Sequence, residues 1–93
     1  MQTLVLSGNK AVQMPNIENT LTFFFSKLLV LDVSDNQIQS IEAVGLCRAC
    51  PCLEKFNFCD NQVADLDEVL PLGKMRNLSQ LNFLRNPLTS TEL

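Results

Sequence analysis

An asparagine that returns at nearly fixed intervals, each time closing the same short apolar block, constrains this 93-residue chain more than any other feature. The asparagines are Asn9, Asn36, Asn61 and Asn86, so the steps are 27, 25 and 25 residues. The blocks ahead of them read Met1, Leu4, Leu6, then Leu28, Leu31, Val33, then Leu53, Phe56, Phe58, then Leu78, Leu81, Phe83. Four recurrences at this spacing are not a chance pattern. A period of this length marks one small structural unit that cannot bury its apolar face alone and stacks on copies of itself.

The last two apolar positions of each block lie two residues apart, so they face the same side of a short strand. Stacking lays those strands side by side as a parallel sheet. The asparagine falls where each strand turns away, leaving backbone groups inside the coil without sheet partners. A side-chain amide both donates and accepts, so one residue can satisfy both kinds of group. After the asparagine, apolar residues step by three and four: Ile38, Ile41, Val44, and then Val63, Leu66, Val69 with Leu70. Ile17, Leu21, Phe24 and Leu28 step likewise before the second strand. This period predicts a short helix or 3-10 segment as the return leg, facing the core. Asp65 and Glu68 are spaced as a capping pair, and Pro51 and Pro71 keep the legs short. The expected fold is therefore an α/β solenoid over residues 1–93: four repeats, four short parallel strands on the concave face, and short helices or 3-10 segments on the convex face.

The stretch Leu28 to Ile41, LLVLDVSDNQIQSI, resembles the cytosolic leucine-rich repeat family. It is similar in particular to the subclass of the protein phosphatase 1 regulatory repeat protein and the outer-arm dynein light chain, with isoleucines two and five residues after the asparagine. The first repeat departs from the pattern, with Ala11 where the second has Ile38. The run Arg85-Asn86-Pro87-Leu88 is similar to the approach to that family's C-terminal cap, and the chain stops at Leu93. The expectation is a domain belonging to a longer chain, or one whose uncapped ends a partner covers. The resemblance implies a protein-interaction scaffold or adaptor that binds through its concave face. An alternative is a subunit of a regulatory or ribonucleoprotein complex that meets RNA through another protein. A zinc-stabilised module is a third.

Strand alternation places the remaining side chains in columns across the concave face: Thr3, Val30, Lys55, Gln80; Val5, Asp32, Asn57, Asn82; Ser7, Ser34, Cys59, Leu84; and, at the turn, Gly8, Asp35, Asp60, Arg85. The resemblance points to this surface for partner binding. The candidate site is Asp32, Asp35, Lys55, Asn57, Asp60, Gln80, Asn82 and Arg85. Its three aspartates suit a protein partner with a basic surface.

Other functions find little support. A net charge of −3 and an isoelectric point near 4.7 lack the basic footprint of direct nucleic-acid binding. The chain has no His, Tyr or Trp, and no nucleophile with a base, so no reaction class assembles and no enzyme or cofactor is expected. Gly73-Lys74 lacks the upstream glycine of a phosphate loop, and the Asn77-Leu78-Ser79 glycosylation triplet has a middle residue due for burial. No leader is visible, and Lys27 interrupts the most apolar stretch, Leu21 to Leu31, which is too short to span a membrane. Cys47, Cys50, Cys52 and Cys59 invite a zinc reading, but Cys47 and Cys50 belong to the return leg and Cys59 to the opposite strand face. Small thiols in the core and at the Pro51 turn are expected instead, in a reducing compartment, cytoplasmic with nuclear or ciliary as variants. In the run Phe23-Phe24-Phe25, Phe24 fits the buried period, which leaves Phe23 or Phe25 partly exposed on the convex side.

Overall fold

The computed structural model describes residues 2–10 and 25–90, with the backbone alone at 90. Four three-residue strands, β1 (Thr3–Val5), β2 (Val30–Asp32), β3 (Lys55–Asn57) and β4 (Gln80–Asn82), form one parallel sheet in chain order. Every pairing is in the register that aligns the repeats: Thr3, Val30, Lys55 and Gln80 are partners in turn, as are Leu4, Leu31, Phe56 and Leu81, and then Val5, Asp32, Asn57 and Asn82. Hydrogen bonding continues past the strand ends, from the N–H of Leu6 to Asp32, of Val33 to Asn57 and of Phe58 to Asn82.

The core lies behind the sheet. Leu28, Leu31, Val33, Ile38 and Ile41 of the second repeat and Leu53, Phe56, Phe58 and Val63 of the third are almost wholly buried. The Phe58 ring packs on Phe56 at 5.2 Å between centroids and on Phe83 at 6.4 Å, within the range of favourable aromatic pairs. Leu4, Leu6, Leu78, Leu81 and Leu88, in the outer repeats, are only partly buried.

The return legs follow the expected architecture but not every expected facing. In the second repeat a helix, α1 (Ala43–Ala49), starts only after Ile38 and Ile41, which sit in chain without regular secondary structure. The helical phase therefore begins afresh at Ala43. Ala43, Leu46 and Ala49 face the core, and Val44 turns outward at 57% exposure. In the third repeat the leg is a pair of 3-10 segments, Leu66–Glu68 and Leu70–Lys74. Along the second segment and its flanks a three-residue turn carries Val69, Leu72 and Met75 inward, Val69 only partly. Leu70, off that phase, is exposed, and so is Leu66, which shares the spacing but lies in the separate first segment, both against the expectation that they face the core. Asp65 does cap the first segment, its Oδ1 accepting from the Asp67 N–H at 2.9 Å. Pro71 stands in the first turn of the second segment, where its missing N–H is no loss.

Phe25 is buried against the core and offers no exposed convex aromatic. Phe23 and Phe24, and the spacing Ile17, Leu21, Phe24, lie outside the described residues. Among the described residues, no helix is long and apolar enough to cross a membrane.

Candidate protein-interaction face

The turn after each strand is built the same way. Gly8, Asp35, Asp60 and Arg85 all adopt left-handed backbone, with φ of 71°, 55°, 56° and 57°. Glycine does this without cost and aspartate with little, whereas an arginine is held there by its surroundings. This twist folds the next residue, the asparagine, into the coil. Asn61 is the fullest case: its Nδ2 donates to the carbonyls of Val33, Phe58 and Cys59, each at 3.0 Å, and its Oδ1 accepts from the Ile38 N–H at 3.0 Å. Asn36 braces Leu6 and Asn9 in the same way, and Asn86 braces Phe58 and Val63. The turns thereby fix the strand faces on the other side.

Those faces form a shallow groove of about 500 Å³ over β2, β3 and β4, bordered by Val30, Asp32, Lys55, Asn57, Gln80 and Asn82. Lys55, Gln80 and Asn82 are exposed, and Asp32 and Asn57 half-buried. The half-burial has a local cause. Asp32 Oδ1 accepts from the Ser34 N–H at 2.9 Å and Asn57 Oδ1 from the Cys59 N–H at 3.0 Å. Asn82 Oδ1 makes a longer contact of the same kind, 3.5 Å to the Leu84 N–H. Each side chain of this row is thus tied by one atom to its own strand end.

The turn column behaves differently. Asp35 is exposed, and its carboxylate lies beside Gly8, Oδ2 standing 3.7 Å from where a Cβ would project. Asp60 is already engaged by Arg85 of the next repeat: Nε meets Oδ1 at 2.5 Å and Nη2 meets Oδ2 at 2.9 Å. The hydrogen bond from Arg85 holds the Asp60 carboxyl below the usual carboxylate range, and the same bond raises the Arg85 guanidinium. Five of the eight candidate residues, Asp32, Lys55, Asn57, Gln80 and Asn82, border one groove, while Asp35, Asp60 and Arg85 stand at the turns, where the Asp60–Arg85 pair makes the acidity smaller than a count of aspartates implies. Asp32 and Asp35 remain as uncompensated charges on the described face. Cys59 also departs from expectation. It occupies its column yet is 3% exposed, set in the turn between Asn57 and the Asp60–Arg85 pair.

All four cysteines are free thiols. Cys50 is buried at the end of α1, and burial pushes its thiol up to about 11. Burial also raises Cys47, partly offset by Lys74, and its Sγ lies 3.6 Å from the Pro71 carbonyl oxygen. Among the described residues, no three His, Cys, Asp or Glu side chains gather as metal ligands would.

A parallel sheet of stacked strand–turn–leg units tied by an internal asparagine ladder defines a repeat-protein solenoid, and the chain belongs to the leucine-rich repeat family, whose model matches residues 1–93. Among curated proteins it is similar to the U2 small nuclear ribonucleoprotein A' of Homo sapiens, 28% identical over 108 residues, covering 94% of this chain and 41% of that protein. It is also similar to the protein phosphatase 1 regulatory inhibitor subunit PPP1R7 homolog of Arabidopsis thaliana, 30% identical over 92 residues, covering 99% of this chain and 25% of that one. A third relative is the mRNA export factor mex67 of Schizosaccharomyces pombe, 27% identical over 95 residues, covering 98% and 16%. The chain thus spans less than half the length of each of these relatives.

Proposed function

We propose that the four repeats act as a protein-interaction scaffold that receives a partner across the concave sheet face, with Asp32, Asp35, Lys55, Asn57, Gln80 and Asn82 as the contact set. The observation that carries this function is the groove over β2–β4, whose central row, Asp32, Asn57 and Asn82, is held at one atom by the strand ends, with Lys55 and Gln80 exposed beside it. A rigid, preorganised face loses little conformational entropy on docking. Asp60 and Arg85 belong to the rim as a closed pair. No catalytic role is assigned, in keeping with a chain that has no histidine. The finer placement, in the subclass of the phosphatase 1 regulatory protein, is supported by the similarity to the PPP1R7 homolog and by Ile38 and Ile41.

Membership of a ribonucleoprotein or regulatory complex is the second reading, favoured by relatives named as a small nuclear ribonucleoprotein, an mRNA export factor and a phosphatase regulatory subunit. In either case the setting proposed is a reducing one, cytoplasmic or nuclear, which suits four free thiols.

The test compares two charge reversals in one assay. Asp32→Lys with Asp35→Lys alters the concave face, and Glu42→Lys with Asp67→Lys alters a convex groove that those two acids border. Binding to a partner recovered from native extract is measured for both, with circular dichroism confirming the fold. Loss of roughly tenfold or more with the concave pair alone is the expected outcome. Loss with the convex pair alone would refute the assignment.

A further inference from the structure

The open atoms of the central row have a fixed chemical order. The Oδ1 atoms of Asp32, Asn57 and Asn82 each face a backbone N–H of their own strand end. An amide whose oxygen is committed to a donor must turn its NH₂ the other way, so the orientations of Asn57 and Asn82 follow from chemistry. Across β2, β3 and β4 the row therefore presents a carboxylate oxygen, then an amide NH₂, then a second amide NH₂. None of these atoms has another partner among the described residues. Lys55 stands on the same strand and face as Asn57, two residues before it, and is exposed. An anion placed over β3 would meet both the Lys55 ammonium and the Asn57 amide, whereas a cation is wanted over Asp32.

Spacing selects the shape of the occupant. Neighbouring strands lie about 4.8 Å apart, so the row spans roughly 10 Å. A helix lying along the row rises about 5.4 Å per turn, and two turns miss the row by roughly 1 Å. An extended chain repeats the same face every ~6.8 Å and misses by about 4 Å over two steps. Three-residue strands are also about 10 Å long, close to the width of a helix.

Building on the concave-face function above, we propose that the row Asp32–Asn57–Asn82, with Lys55, recognises an α-helix of a partner protein. That helix carries a Lys or Arg over Asp32, an Asp or Glu three or four residues away over Lys55 and Asn57, and a further hydrogen-bond acceptor one turn on, over Asn82. A basic helix without the acidic residue leaves Lys55 opposed, so the face selects a charge order and not a net charge.

Two libraries displayed on phage test this, selected in parallel against the whole chain. One randomises the exposed face of a stable three-helix scaffold, and the other is a library of linear peptides with proline at alternate positions to bar helix. The enriched helices are expected to carry Lys or Arg and Asp or Glu three or four apart. Asp32→Lys should weaken them about tenfold or more, and reversing the helix cation to Glu should restore binding. Asp32→Asn keeps the Oδ1 contact and the shape, so it serves if the lysine variant fails to fold, and it should weaken the same helices several-fold. Lys55→Glu should weaken them and be rescued by reversing the helix acid. Concave-face binders that lack the charge pair, or that come only from the proline library, would overturn the helix assignment and leave the concave-face function standing. Binders from both libraries that map only to the convex side, or no binders from either, would overturn both.

Discussion

Replacing Asn61 by alanine isolates what holds one coil to the next. Asn61 is 2% exposed and serves four backbone groups in two repeats. They do not lose equally. The Val33 carbonyl keeps a bond from Asn36, and the Phe58 carbonyl keeps one from Asn86. The Ile38 N–H has Asn61 Oδ1 as its acceptor, and Ile38 is itself 1% exposed, so water does not replace it readily. An orphaned buried donor costs about 1–3 kcal/mol, and the weakened carbonyl bonds add roughly 1 kcal/mol more, so Asn61→Ala should destabilise by about 2–4 kcal/mol. Asn36 gives an internal comparison. Its Oδ1 accepts from Asn9, an exposed residue that water reaches, so Asn36→Ala should cost about 1 kcal/mol less or better. Asn61→Asp adds a pH signature. It keeps an acceptor for Ile38 but aims a carboxyl oxygen at three carbonyls, so the folded state raises that carboxyl above its unfolded value. Relative to the parent, this variant should be least impaired below the unfolded carboxyl value and lose stability as pH rises through the folded one. Urea midpoints across pH for the three variants supply the measurement. Equal losses at Asn36 and Asn61, or a pH-independent gap between the aspartate variant and the parent, would refute the reasoning.

Three further outcomes follow from the site. Arg85→Ala removes the hydrogen bond that holds Asp60 low, so carboxyl titration by NMR should show Asp60 moving up. Asp60's contribution in the parent is present above its unfolded value and fades as pH falls through its depressed folded value, and an unmoved Asp60 would show that the pair does not persist in solution. Cys50 should resist iodoacetamide at pH 8 until the protein unfolds, since burial and a thiol raised to about 11 leave little thiolate; mass spectrometry showing Cys50 modified first would contradict its placement. Purified protein should carry no stoichiometric zinc and keep its Tm in the presence of a chelator; one bound zinc per chain, lost on unfolding, would mean that the thiols gather in solution.

Strand positions and columns were legible because they depend on a period of two anchored to the asparagine, and the parallel register carries that anchor from repeat to repeat. Return-leg facings were less so. Val44, Leu66 and Leu70 continue the apolar spacing from Ile38 and Val63, but spacing does not say where the irregular chain ends and a helix begins, and that start resets which residues turn inward. The site shows the same division. The repeat spacing puts Asp60 at the turn beside the Cys59 column, but its neutralisation depends on Arg85, 25 residues later, reaching back from the next turn. The burial of Cys59 likewise depends on how that turn closes over it, which no linear pattern encodes. Asp32 and Asn57 carried a readable signal that was passed over, since an Asp or Asn two residues before a turning N–H commonly folds back on it.

The asparagine bonds that cross between coils all run one way: Asn36, Asn61 and Asn86 each complete the coil that precedes them, reaching carbonyls 28 to 30 residues upstream and N–H groups 23 to 27 upstream. On a ribosome, where the chain appears from its N-terminus, a coil would therefore emerge with its inner backbone still open and be sealed only when the next asparagine arrives. Assembly would proceed as a chain of deferred closures. Loss of residues from the two ends should then be unequal in effect. Removing the first repeat leaves Asn36 with its bonds to Val33 and Ser34, whereas removing the last takes Asn86 from a Val63 N–H already buried behind the sheet. A solenoid assembled in this order tolerates trimming at its beginning and is vulnerable at its end.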